Sequence, residues 1–276
     1  YYDYFMFGMK TPYITMIASR GCIYRCTFCT TYAIWNNQYR RRSVDNVLAE
    51  IDYVVKRYGT NYIAFQDDVF GRTNDWIEEF CKKLIIRNYK FKWMVILHPF
   101  SVRNDTERIL KLMKKARCDT ISFGQQSSHP KILKNIKRNP AEPMQLKKIL
   151  KITNKLGLVT SVSYIFGLPG DTKETIRTTI NYSLNCGSTV AHYFILSVLS
   201  GSEIGIQYRN KEICKMPKNE LGKLATYASR KFYTRPKNLL KIVYFVIKNP
   251  GWVMRVGIKL PSILQRIGFG KTRFKE

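Results

Sequence analysis

Residues 21–29 read Gly-Cys-Ile-Tyr-Arg-Cys-Thr-Phe-Cys, which puts Cys22, Cys26 and Cys29 on one short stretch. Thiolates are soft metal ligands, and the spacing Cys-x3-Cys-x2-Cys lets three of them converge when the loop folds back on itself. Gly21 leaves no side chain where the chain enters that loop. Iron–sulfur cubanes normally take four cysteines, so three would leave one iron open. An open metal position is what catalytic sites keep and structural sites avoid. Two other chemistries compete. A structural zinc needs a fourth ligand, yet no Cys or His follows at finger-like spacing, and His98, His129 and His192 are remote in sequence. A redox pair at Cys26 and Cys29 leaves Cys22 without a role.

Such a loop has to be carried by regular elements. β-rich runs at 13–18, 62–66, 92–97, 120–123, 160–166 and 192–198 alternate with helical patterns at 44–58, 74–88, 104–116, 143–156 and 173–186. Ser43, Asn74 and the Asp171-Thr172 pair with Glu174 mark helix starts. The alternation predicts an α/β fold with a parallel sheet, either an open barrel or a curved doubly wound sheet. In both, ligands gather at the carboxyl ends of the strands. Those ends carry the cysteine loop, Gln66-Asp67-Asp68, His98-Pro99, Gly124-Gln125-Gln126-Ser127, Gly167-Leu168-Pro169-Gly170 and Ser200-Gly201-Ser202.

The bulk numbers suit a large α/β domain: 276 residues, 45% of them hydrophobic. The chain opens on Tyr1 rather than Met and reaches the cysteines quickly, which suggests a missing upstream portion. It has neither a signal-type start nor an apolar run long enough to span a bilayer, so a cytoplasmic location is the default. Cys81, Cys118, Cys186 and Cys214 are scattered and read as small buried hydrophobes, not as a disulfide framework. The net charge is +28, from 47 basic and 19 acidic residues. Half of it falls in residues 207–276, where 17 Lys or Arg face 3 Glu. This basic, aromatic-bearing segment reads as helical, and its apolar stretch at 239–247 suits packing on the barrel or lying on a membrane surface.

The stretch CIYRCTFC resembles the Cys-x3-Cys-x-aromatic-Cys signature of radical S-adenosylmethionine (radical SAM) enzymes, placed after the first strand as in that family. The resemblance runs from about residue 11 to 236. Arg42-Ser43, FQDDVF, ISFGQQSSHPKILKNIKR, YIFGLPGDTKETIRTTI and KFYTRP look like the cobalamin-associated branch, which includes methyltransferases and the anaerobic porphyrin oxidative cyclase. It implies a partial (β/α)6 TIM-type barrel in residues 1–206, followed by a basic, mainly helical C-terminal extension in 207–276. It also implies a 4Fe-4S cluster on Cys22, Cys26 and Cys29, whose open iron binds the amino and carboxylate groups of SAM.

By the same resemblance Phe28 lies near the adenine, Asp67 and Asp68 face the amino group of SAM, and the backbone of Gly167 to Pro169 passes the adenosyl group. Two segments depart from the family. Gln126 stands where relatives carry Glu in Gly-x-Glu-Ser, removing a charge from that contact, and LSGSEIG replaces a Pro-Gly-Thr-Glu turn. No Asp-x-His-x-x-Gly motif occurs, so cobalamin would have to come from a domain outside this chain. The function expected is methyl transfer or oxidative cyclisation on a bulky small-molecule or lipid-like substrate, with no catalytic residue beyond the cluster ligands. An electron donor of the flavodoxin or ferredoxin type would act as partner. The charge leaves room for an anionic membrane surface; RNA as the partner of a radical SAM modifying enzyme ranks behind it, as does a non-catalytic scaffold that binds cluster or SAM.

Overall fold

A computed structural model describes residues 12–102, 105–209, 212–236, 238 and 240. Six parallel strands form the main sheet: β1 (Tyr13–Met16), β4 (Tyr62–Phe65), β5 (Lys92–Leu97), β6 (Cys118–Gln126), β7 (Val159–Phe166) and β8 (Val190–Ile195). Their order in the sheet is their order in the chain, from β1 at one edge to β8 at the other. A doubly wound sheet reverses direction partway; this one never does, so it is the open barrel. Two further strands, β2 (Ser19–Arg20) and β3 (Arg40–Arg41), pair antiparallel in a small ribbon that the sequence did not predict.

Helices α2 (Val44–Tyr58), α3 (Asn74–Arg87), α4 (Thr106–Lys115), α6 (Glu142–Lys155) and α7 (Lys173–Asn185) follow successive strands and cover one face of the sheet. Shorter helices are α1 (Thr31–Trp35), α5 (Pro130–Asn135) and α8 (Glu203–Gln207). In α2 the buried residues Val44, Val47, Leu48, Ile51 and Val54 recur at helical spacing, and Ser43 caps its start by accepting from the N–H of Asn46 at 3.2 Å. Thr172 caps α7 in a capping box with Thr175. α3 also begins at Asn74, but Thr73 is its N-cap residue.

Strand β7 alternates half-buried and buried positions along its length, with Val162, Tyr164 and Phe166 in the helix-covered core. Ser161, Ser163 and Ile165 therefore face the barrel interior. Register extends that inner face sideways: Ser122 pairs with Ser161, Gly124 with Ser163, Ser163 with His192, and Ile165 with Phe194. Tyr62, Ala64 and Met94, with Tyr13 against them, close the inner face near the start of the strands.

Beyond the barrel, α9 (Lys218–Tyr233) buries Leu221, Ala228 and Phe232 and packs across β8 and α7. Tyr233 Oη ties it to the edge strand by donating to the carbonyl of Ala191 at 2.9 Å. The apolar stretch 239–247, apart from Leu240, lies outside the described residues. Among the described residues no helix is long and apolar enough to cross a membrane. The last strand ends at Ile195, short of the expected 198, because Val198 and Leu199 lie exposed in the loop leading to α8. Cys81, Cys118 and Cys186 are buried as expected; Cys214 is half-buried, its thiol donating to the Asp171 carbonyl at 3.4 Å.

Candidate functional site

The cysteine loop lies between β2 and β3, held above the carboxyl ends of the strands from several sides. Gly21 has φ +87°, and a Cβ there would stand 1.9 Å from the carbonyl oxygen of Gln38, so only glycine fits. Asp68 clamps both ends of the loop, accepting from Gly21 N–H at 3.0 Å and from the Thr31 hydroxyl at 3.1 Å. In the middle, Thr27 N–H donates to the Ile136 carbonyl at 3.3 Å, and Ile204 N–H donates to the Thr27 carbonyl at 2.9 Å. The second contact docks α8, and with it the unusual LSGSEIG turn, onto the loop. Tyr24 stacks on His98 at the end of β5, ring centroids 3.8 Å apart.

Cys26 is buried, while Cys22 and Cys29 are half-exposed. Burial pushes the Cys22 thiol up to about 11, with the neighbouring thiols and Asp68 adding to the effect. Burial raises Cys26 as well, against the pull of Arg138. Thiolates would be costly here without a cation among them. Donors already point at the sulfurs: Tyr24 N–H at 3.5 Å from Cys22 Sγ, and Thr31 N–H at 3.4 Å from Cys29 Sγ. The buried Thr27 hydroxyl, between Cys26 and Phe28, has no hydrogen-bond partner among the described residues. Three sulfurs with an unused donor beside them fit a thiolate-held cluster. Among the described residues no three His, Cys, Asp or Glu side chains stand close enough to hold a single ion.

The other expected residues divide into two groups. Phe28 packs against the cluster of Ile132, Leu133, Ile136 and Leu168, which brings it to the turn of Gly167 and Pro169. That turn is fixed by buried Asp171, which accepts from Gly167 N–H and Leu168 N–H, each at 3.0 Å, and from the Thr175 hydroxyl at 2.7 Å. Asn135 Nδ2 also donates to the Pro169 carbonyl at 2.8 Å. Gln126 sits half-buried at the end of β6 with φ +62°, next to a shift in register after Gly124.

The two aspartates part company. Asp67 is turned inward, accepting from Ala18 N–H at 3.2 Å and the Ser19 hydroxyl at 2.5 Å, so it organises the turn after β1. Asp68 is exposed.

Burial pushes the Asp171 carboxyl up to about 6, which its hydrogen bonds from Thr175, Leu168 and Gly167 only partly offset. Its folded value therefore lies above the ordinary 3.8. The folded state holds the extra proton between those values, so this group's stabilisation is full below about 4 and is lost as pH rises through about 6. Melting temperature against pH should accordingly fall less steeply across that window in Asp171→Asn than in the parent; parallel curves would mean the carboxyl is not held up.

Sequence reasoning missed a buried group behind the cysteines. Arg138 Nε donates to Glu142 Oε2 at 2.7 Å, Arg138 Nη2 donates to the Gly124 carbonyl at 2.7 Å, and Arg138 Nη1 reaches Cys26 Sγ at 3.9 Å. Glu142 Oε1 lies 3.4 Å from His98 Nε2. Phe100 N–H donates to His98 Nδ1 at 3.3 Å, which leaves the imidazole proton on Nε2, directed at Glu142. Burial holds His98 below its ordinary value, against the hydrogen bond it donates to Glu142. Burial would raise Glu142, but His98 and Arg138 outweigh it and hold the carboxyl low.

The model of the "Radical SAM superfamily" matches residues 16–182. The chain is 26% identical over 259 residues to "Uncharacterized methyltransferase PH0819" of Pyrococcus horikoshii, covering 86% of this chain and 56% of that protein. It is 27% identical over 180 residues to the anaerobic magnesium-protoporphyrin IX monomethyl ester cyclase of Cereibacter sphaeroides, covering 64% of this chain and 29% of the cyclase. The chain thus spans about half, or less, of the length of these curated relatives. Among solved structures, the radical S-adenosylmethionine methyltransferase TsrM from Kitasatospora setae, with cobalamin and a 4Fe-4S cluster bound, superposes with a TM-score of 0.64 at 19% identity, over 70% of this chain and 36% of that one. At that identity the likeness speaks for the fold, the partial barrel. With the family model covering most of the chain and the barrel and cysteine loop in place, the chain belongs to the radical SAM superfamily, whose cofactors are a 4Fe-4S cluster and SAM.

Proposed function

We propose that Cys22, Cys26 and Cys29 hold a 4Fe-4S cluster with which the chain cleaves SAM, in the service of methyl transfer or oxidative cyclisation of a bulky organic substrate. The observation that carries this reading is three cysteines, and no fourth, on one loop above the carboxyl ends of a singly wound barrel within the family match. When bound, the cluster supplies one electron that splits the sulfonium into methionine and a 5′-deoxyadenosyl radical able to take a hydrogen atom from substrate.

The chain's own residues bind and orient. Phe28 offers its ring to the adenine, and Gly167, which has no side chain, lets the backbone of the Gly167 to Pro169 turn pass beside it. Of the acidic pair, Asp68 is the exposed member and the one open to an ammonium; Asp67 supports it from within. Gln126 contributes a neutral donor and acceptor where a carboxylate would add charge. Residues 1–206 are the catalytic core in this reading, and within the basic segment that follows, α9 flanks it against the edge strand. Cobalamin takes part only if a domain outside these residues supplies it. A cytoplasmic setting, a flavodoxin- or ferredoxin-type electron donor and an anionic surface as neighbours suit the +28 charge.

The inner face supports a bulky substrate. Ser122, Gly124, Ser161 and Ser163 are small and lie side by side in register, so short side chains line the inner face along β6 and β7. Phe194 and His192 border that space, stacked with ring centroids 6.1 Å apart. Ser163→Phe should block substrate turnover while SAM cleavage without substrate persists; loss of both would place Ser163 in the cofactor site instead.

The reading is tested by anaerobic reconstitution with iron and sulfide, followed by electron paramagnetic resonance (EPR) of the dithionite-reduced protein. One 4Fe-4S cluster should form per chain, and SAM should change its signal because SAM occupies the open iron. A cluster whose signal ignores SAM would contradict the reading.

A further inference from the structure

Buried ion pairs contribute little net stability, so the place of Arg138 and Glu142 behind a metal ligand calls for a reason. Both side chains are almost wholly buried, at 6% and 2% exposure. The turn after α5 sets the arginine: Lys137 has φ +56°, and Arg138 N–H donates to the Leu133 carbonyl at 2.8 Å. The same turn presents the Ile136 carbonyl to Thr27. The guanidinium edge that bonds Glu142 and the Gly124 carbonyl is thereby separated from Nη1, which is left to Cys26 Sγ. His98 Nε2 lies beside both partners, 3.4 Å from Glu142 Oε1 and 3.3 Å from Arg138 Nη2, and the ring is pinned by its stack on Tyr24.

We propose that Arg138 sets the reduction potential of the cluster through its contact with Cys26, and that Glu142 and His98 act as positioning residues that aim the guanidinium and offset part of its charge. The inference rests on the reading that Cys22, Cys26 and Cys29 hold the cluster. Reduction adds one electron, and so one negative charge, to a group buried beside a fixed cation; the cation favours the reduced state and makes the cluster easier to reduce. Glu142 opposes this, and more weakly, because the guanidinium reaches Cys26 Sγ through Nη1 at 3.9 Å while the carboxylate lies behind it, bonded to Nε. The two residues therefore affect the potential with opposite signs, which a merely structural role would not do.

The test is EPR-monitored potentiometry of the full chain carrying its reconstituted cluster, with dithionite as reductant and circular dichroism to establish folding. Arg138→Gln should shift the midpoint potential down and Glu142→Gln should shift it up. The double variant, which removes both charges and leaves no buried ion unpaired, should fall between Arg138→Gln and the parent, and Arg138→Lys should stay near the parent. Potentials that do not move, or that move the same way in both single variants, overturn the inference. Should a single variant fail to load its cluster, the double variant and Arg138→Lys decide: both unchanged, or both lowered alike, would overturn it. A parent chain that assembles no cluster overturns the underlying reading, and this inference with it.

Discussion

Changing any one of Cys22, Cys26 or Cys29 to alanine should reduce bound iron to the level of the triple variant, with helix content unchanged. A cluster held by three protein ligands has none to spare. The loop itself, however, does not depend on its sulfurs: Asp68 clamps Gly21 and Thr31, and Thr27 is held by backbone bonds to Ile136 and Ile204. Cys26→Ala also leaves Arg138 paired with Glu142 and the Gly124 carbonyl, so no buried charge is stranded. Iron analysis and circular dichroism on the reconstituted variants check this. A single variant that keeps its full iron would remove that cysteine from the ligand set.

Gly21→Ala should be the most damaging glycine-to-alanine change among the described residues. An alanine held at φ +87° costs about 1–2 kcal/mol in backbone strain alone. The larger penalty comes from the new Cβ, 1.9 Å from the Gln38 carbonyl oxygen, since neither a Cβ nor a carbonyl can turn away by changing rotamer. The chain must shift, loosening the N–H bond to Asp68 and the start of the cysteine loop. A loss of about 2–4 kcal/mol corresponds to a melting temperature lower by roughly 5–15 °C for a chain of this size. Iron retention should fall with it. Gly59→Ala is the matched control: Gly59 caps α2 at φ +58° with nothing within 4 Å of its would-be Cβ, so it should lose only about 1–2 kcal/mol and keep its iron. Equal effects at the two positions would mean that the Gln38 contact is unimportant.

The sequence made the barrel legible because its strands and helices alternate and five of the helices are long enough to show their period. Winding direction was not legible; only the strand order separates the open barrel from a doubly wound sheet. The β2–β3 ribbon escaped because its strands are two residues each, too short for any alternation to register. The cysteine loop stood out because its chemistry is local. Arg138 and Glu142 did not: four apart in a Lys-rich stretch, they look like any exposed helix pair, and burial leaves no mark on that spacing. His98 was visible as a residue after a strand, but its link to Glu142 exists only in three dimensions. Asp67 and Asp68 were read as one acidic feature, and the fold sends one inward to Ala18 and Ser19 and the other to Gly21 and Thr31.

The central claim is that this loop turns SAM into a radical. It is met most directly by incubating the anaerobically reconstituted chain with SAM and dithionite and quantifying 5′-deoxyadenosine against the Cys22, Cys26 and Cys29→Ala triple variant. The account predicts 5′-deoxyadenosine from the parent chain and only background from the variant. A parent chain carrying a complete cluster that yields no more 5′-deoxyadenosine than the variant would contradict it.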